Sequence, residues 1–257
     1  MQFIDQLNST ILLDSIPKRI VSLVPSQTEF LFDIGLEKEV VGITKFCIYP
    51  SHRLKTKTII GGTKNVDVEK VRSLKPDLII GNKEENTKEN IEELREIAPV
   101  WMSDIFNLED ALEMMGSIGG MVGKHEETQE IVDNIKGQFD SLKPKNSKLS
   151  VLYLIWRKPY IGVSNDTFID DMLKRCGFKN ILADQTRYPI LGNLSELNPD
   201  VLFLSSEPYP FKEKHIQELH EIYPNTKIKL VDGEMFSWYG SRLSKSVDYF
   251  KWLCTEI

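Results

Sequence analysis

The sequence predicts an α/β protein of two similarly built lobes around parallel-type sheets, joined by one long helix, and three observations carry this. First, Leu74-Lys75-Pro76-Asp77-Leu78-Ile79-Ile80-Gly81 returns as Leu197-Asn198-Pro199-Asp200-Val201-Leu202-Phe203-Leu204, 123 positions later by the two prolines. Second, each copy ends a helical pattern before its proline, where the α region is disfavoured, and then enters an uninterrupted apolar run. Such a run reads as a strand covered on both faces, the parallel-sheet kind. Third, from Asn107 to Leu142 the pattern is helix alone. The segments after the repeated strands diverge, Gly81-Asn82-Lys83-Glu84-Glu85-Asn86 against Ser205-Ser206-Glu207-Pro208-Tyr209. Open α/β sheets bind ligands at these carboxyl ends.

In order along the chain, residues 18–25 read as a first strand, and Ser26-Gln27-Thr28-Glu29 opens an apolar helix that stops at Gly35. Ser26 with Glu29 three residues later has the spacing of a capping box. A strand at 40–43 precedes Thr44-Lys45-Phe46-Cys47-Ile48-Tyr49-Pro50, and Gly61-Gly62-Thr63-Lys64-Asn65 is a turn before a helix at 68–74. The first repeated strand, a helix at 86–97 and a short strand at 99–102 complete the first lobe. Leu108, Leu112 and Met115 then mark one helix, and Ile131, Ile135, Phe139 and Leu142 a second that stops at Lys143-Pro144. About 18 residues at ~1.5 Å each would span about 27 Å, enough to cross between lobes. The second lobe reads as a strand at 149–156, a helix at 168–174, the second repeated strand, a helix around 216–219, a strand at 228–231 and a helix from 241 to 253. The expected boundaries are 1–124 for the first lobe, 125–145 for the bridging helix and 146–257 for the second lobe.

At 257 residues and 41% hydrophobic, the chain can bury two moderate cores. Its net charge of −6 is spread over interspersed acids and bases, which argues against a nucleic-acid or anionic-membrane partner. Cys47, Cys176 and Cys254 lie far apart without CxxC spacing, so no disulfide framework is expected. The amino terminus lacks the basic and apolar regions of a signal peptide, and no segment approaches ~20 apolar residues. The chain therefore reads as soluble and without an export signal.

Lys45, Lys64, Lys83, Arg157 and Arg242 follow strands or sit in short strand-to-helix loops, partly balanced by Glu84 and Glu85. With Phe46, Trp156, Tyr160, Trp238 and Tyr239 they suit a large flat ligand stacked on rings and held at its rim by charge. Solvated loops and core aromatics are the competing reading. Trp238, flanked by Ser237 and Gly240, is open to both stacking and core burial. Ser26, Gln27 and Thr28 could hold an anion at a helix start or serve as a plain cap. Cys47 could offer a thiolate to cobalt or iron, or be a small buried hydrophobe. His52, His125, His215 and His220 have no ligand spacing, so no protein-bound metal is expected. No phosphate loop appears at Gly61, no nucleophile elbow at Gly162, and Asp170 and Asp171 face different ways, so nothing supports catalysis.

The order of these motifs, from about Lys18 to Leu253, resembles the substrate-binding proteins of cobalamin and iron-siderophore ABC importers, of the helical-backbone periplasmic type. The resemblance implies two Rossmann-like lobes on one rigid helix, with the ligand between them and little hinge closure. It implies no catalysis and no intrinsic cofactor, the ligand itself being a cobalt corrinoid or an iron chelate. Thr44 to Cys47, Gly61 to Asn65, Asn82 to Asn86 and Ser237 to Arg242 resemble one branch often labelled cobalamin-binding. On that basis Tyr49, Thr63, Asn65 and Asn82 join the residues above as ligand contacts. Glu69 matches an acidic residue that docks the permease, whereas Leu191-Gly192-Asn193-Leu194 offers no acid for the second lobe, with Glu196 nearby. A monomer working with permease subunits in the periplasm is implied, while the missing leader leaves the cytoplasm open. A cytosolic corrinoid or chelate carrier or sensor, and an enzyme acting on a small anionic metabolite, remain as alternatives.

Overall fold

The computed structural model describes residues 1–143 and 149–257, and the chain divides into two α/β units. Unit 1 comprises Met1–Ile105, Glu109–Ile135 and Tyr239–Arg242; unit 2 comprises Phe106–Leu108, Lys136–Trp238 and Leu243–Ile257. Each has its own sheet.

Unit 1 starts with β1 (Gln2–Ile4) and β2 (Thr10–Leu12), an antiparallel hairpin that the sequence reading left unassigned. Its turn runs through Asn8 at φ 62 and is tied by the Asp5 carboxylate, which accepts from the Leu7 and Ser9 amides at 2.9 and 2.7 Å. Then come β3 (Ile20–Ser22), α1 (Pro25–Asp33), β4 (Val40–Ile43), α2 (Ser51–Leu54), β5 (Thr58–Ile59), α3 (Val68–Leu74), β6 (Leu78–Asn82), α4 (Lys88–Arg95), β7 (Val100–Ser103) and α5 (Leu108–Met121). The sheet is parallel throughout, in the order β5-β4-β3-β6-β7. The hairpin covers its β7 edge, where Trp101 Nε1 donates to the Ile4 carbonyl at 3.3 Å and the Gln6 amide to the Met102 carbonyl at 3.1 Å. Covering an edge in this way blocks unwanted strand pairing.

Every residue of α1 from Ser26 to Phe32 is buried. The capping box expected at Ser26 does not form: Pro25 takes the first helical position, Val24 is the N-cap, and no side chain caps the helix. Proline suits that position because it has no amide to leave unpaired. Glu29, freed from the cap, turns instead to Arg242.

α6 (His125–Asp140) carries the chain from unit 1, which it leaves after Ile135, into unit 2 at Lys136. The expected helix stop at Pro144, the end of the bridging segment at 145 and the second-lobe start at 146 lie outside the described residues. Gly137 is in open space, with nothing within 4 Å of where a Cβ would stand. Gly137→Ala should therefore stabilise the protein by about 0.5–1 kcal/mol, read as a higher urea midpoint at unchanged slope.

Unit 2 contains β8 (Ser150–Trp156), β9 (Tyr160–Gly162), α7 (Phe168–Arg175), β10 (Lys179–Asn180), β11 (Ile190–Leu191), a 3-10 turn at Leu194–Glu196, β12 (Val201–Ser205), α8 (Glu213–His220), β13 (Lys227–Val231), α9 (Gly233–Ser237) and α10 (Leu243–Thr255). β10, β12 and β13 are parallel neighbours in a sheet built on β8. β9 and β11 are antiparallel additions, so this sheet is mixed. Lys158 at φ 63 and Pro159 reverse the chain after β8, which apolar runs alone do not reveal.

The repeated Pro-Asp performs the same task in both units. Asp77 accepts the Lys18 and Arg19 amides at 2.8 and 2.9 Å, fixing the entry of β3 beside β6. Asp200 accepts the Ser150 amide and hydroxyl, each at 2.7 Å, fixing the entry of β8 beside β12. Those Ser150 hydrogen bonds hold the Asp200 carboxyl below its ordinary value.

Candidate functional site

In unit 1 the strand order reverses between β3 and β6, so the loops at the carboxyl ends of these strands and their neighbours are where a ligand is expected. β4 leads into Lys45-Phe46-Cys47. The Phe46 ring is 51% exposed, and Lys45 Nζ stands 5.1 Å from its centroid. Cys47 turns the other way: its buried thiol meets the Thr28 and Thr44 hydroxyls at 3.2 and 3.4 Å, and burial pushes its pKa up. A buried small side chain of this kind is a poor thiolate ligand.

The turn after β5 depends on Gly61, at φ +104, where a Cβ would sit 2.3 Å from the Asn65 carbonyl oxygen. Asn82, at the end of β6, accepts the Glu84 and Glu85 amides at 2.8 and 3.1 Å and donates to Ser103 Oγ at 3.0 Å. Asn86 closes the same loop onto the Asn82 amide at 2.9 Å and donates to the carbonyl of buried Thr63 at 3.0 Å. Lys64 Nζ donates to the Glu84 carbonyl, lacing the Asn65 turn to this loop. Lys83 is mostly exposed and pairs with Asp104 at 2.5 Å. Thus Thr63, Lys64, Asn82, Lys83 and Glu84 are drawn together, with Asn82 as a backbone organiser.

Ser26, Gln27 and Thr28 are buried in the first turns of α1. Thr28 Oγ1 donates within reach of Ser22 Oγ and the Val24 carbonyl, at 2.8 and 2.9 Å, and Gln27 Nε2 donates to Ser103 Oγ at 2.7 Å. These side chains organise the carboxyl end of the unit 1 sheet from beneath.

Arg242, read from the sequence as a rim cation, is buried and already paired. Its guanidinium is buried, grips both Glu29 oxygens at 2.8 Å and stacks 3.8 Å from the Tyr49 ring centroid. The reason lies in α1, which buries Glu29 and so requires a countercharge. Ser241 Oγ bonds Asp33 at 2.5 Å, and Gly240 allows the approach, since a Cβ there would lie 2.6 Å from the Ser26 carbonyl oxygen. Tyr239 is buried with this segment.

In unit 2, β8 ends at Trp156, 40% exposed and edge-on to Tyr209 with centroids 5.8 Å apart. Arg157 pairs with Glu218, and hydrogen bonds to Tyr160 and then Tyr209 raise its pKa. Glu207 Oε1 accepts Ser237 Oγ at 2.6 Å and Trp238 Nε1 at 3.1 Å. Trp238 is 8% exposed. Among the histidines, His215 is buried, its Nδ1 accepting the Lys212 amide at 2.8 Å, and burial lowers its pKa. Sequence reasoning missed Glu29, Asp104, Glu207, Tyr209 and Glu218; Glu207 and Tyr209 lie in the divergent loop after the second repeat, which was their available signal.

A cavity of about 540 Å³ in unit 1, lined by Ser9–Leu12 and Arg95–Val100, lies at the amino-terminal end of β7 and contains none of these residues. Among the described residues, no group of three or more His, Cys, Asp or Glu could hold a metal ion, and no helix is long and apolar enough to cross a membrane.

Comparison with known proteins agrees with this architecture. The chain is 30% identical over 211 residues to the uncharacterized ABC transporter substrate-binding lipoprotein YvrC of Bacillus subtilis, covering 77% of this chain and 67% of that protein. It is 26% identical over 195 residues to the vitamin B12-binding protein of Vibrio campbellii, covering 73% and 70%. Staphylococcus aureus SirA, solved with staphyloferrin B, shares the fold with a TM-score of 0.78, 18% identity and coverage of 100% of this chain and 98% of that chain. The family described as periplasmic binding protein matches residues 20–225, from β3 through α8. The resemblance read from the ordered motifs is borne out, and the chain belongs to the periplasmic binding protein family.

Proposed function

We propose that this chain is the substrate-binding protein of an ABC importer and that it takes a corrinoid or a ferric-siderophore-like chelate. The observation that carries the ligand class is the exposure of aromatic rings beside cations at the carboxyl ends of strands. Phe46, with Lys45 Nζ near its ring, and Trp156, next in sequence to Arg157, leave large apolar faces in water. Covering such a face with a flat ligand is favourable by roughly 25 cal/mol per Å², and cations at its rim can bind carboxylate or amide oxygen. The relatives named for ABC transport and for vitamin B12 support the same reading. In it, Lys64, Lys83, Glu84 and Glu85 fix the ligand's edge, while Cys47 packs rather than ligates. Glu69, in the first turn of α3 with its side chain 82% exposed, engages the permease.

Titration of cyanocobalamin, cobinamide and ferric siderophores tests this. Phe46→Ala and Lys83→Ala should each weaken binding by on the order of 1–3 kcal/mol. Both side chains are largely exposed, so the melting temperature should move little. Absence of micromolar binding by every compound, or unchanged affinity in both variants, would remove the proposal.

A further inference from the structure

Unit 2 holds a sulfur pair that the ligand-binding reading does not use. Cys176 follows α7 and is fully buried; Cys254 lies in the last turn of α10 and is half-buried. They are 78 positions apart, yet Cys254 Sγ is 3.7 Å from the Cys176 carbonyl oxygen. Their helices both pack on α9, which draws the two together. Burial, and after it the neighbouring Cys254 thiol, push the Cys176 thiol well above its ordinary pKa. Cys47, by contrast, belongs to unit 1 and has threonine hydroxyls as its thiol partners.

We propose that Cys176 and Cys254 are a disulfide-forming pair that staples α10 to α7 when the protein meets a disulfide oxidant. The thiolate of Cys254, the more accessible sulfur, attacks oxidised glutathione, forms a mixed disulfide and releases one glutathione thiolate. Cys176, deprotonated in turn, attacks Sγ of Cys254 and expels the second. One S–S bond forms as one breaks; two electrons pass to glutathione, and the two cysteine protons end on its thiols. The bridge restrains the unfolded chain over a long loop, and α10 supplies Leu243, Val247, Phe250 and Leu253 to the core of unit 2.

The test oxidises the native full-length chain with oxidised glutathione, unfolds it and counts alkylatable thiols. The count should fall from the three cysteines of the sequence to one, with a Cys176–Cys254 peptide in the non-reducing map. The melting temperature should rise by on the order of 10 °C and return after dithiothreitol. Cys254→Ser, altered at the less buried position, should keep two thiols on unfolding and show no such rise. Three surviving thiols, a stable glutathione adduct on Cys254 without the bridge, or a bridge involving Cys47 would each overturn the proposal.

Discussion

Arg242→Ala is expected to lower stability by about 3–5 kcal/mol, because it strands the buried Glu29 carboxylate without its guanidinium. It also removes the stacking on Tyr49. In a chain of this size that corresponds to a fall in melting temperature on the order of 10 °C, readable by circular dichroism. Adding Glu29→Gln should recover part of the loss, since an amide needs no countercharge. Replacing the pair together by Glu29→Met and Arg242→Leu should cost less than Arg242→Ala alone. A single variant within 1 kcal/mol of wild type would show that Glu29 is not held by this pair.

Trp238→Ala should cost a similar ~3–5 kcal/mol, as expected for emptying a large buried side chain. The indole is nearly enclosed, and its Nε1 donates to the carboxylate oxygen that also receives Ser237. Trp238→Phe should keep most of the packing and lose the hydrogen bond, for about 1 kcal/mol. Urea midpoints for the two variants check this. A normal midpoint with weakened ligand binding would instead assign the ring to stacking on the ligand.

Much of the fold was legible because its signals are local. The two Pro-Asp strands announce themselves, and their carboxylates clamp equivalent strand entries at Lys18–Arg19 and Ser150. The loops rich in Lys and Glu also stand at carboxyl ends, as read. What escaped was pairing at a distance. Pro25 was the local signal that the helix starts ahead of Ser26, but nothing nearby tells that Glu29 will pair with a residue 213 positions away. Likewise Lys83 and Arg157 were visible as cations, but Asp104 and Glu218 were not visible as their partners. The β1–β2 hairpin was missed although apolar Phe3 and Ile11 face each other in register across a turn containing Asn8.

The return of Tyr239–Arg242 to unit 1 has a consequence for biosynthesis. A ribosome delivers the whole of β3 to α5 early, yet the guanidinium that neutralises Glu29 is translated only after unit 2 has been made through Trp238. During elongation, α1 therefore waits with an uncompensated acid in its apolar surroundings. The amino-terminal unit completes its fold near the end of translation, and a fragment stopped before residue 239 lacks the side chain that finishes it.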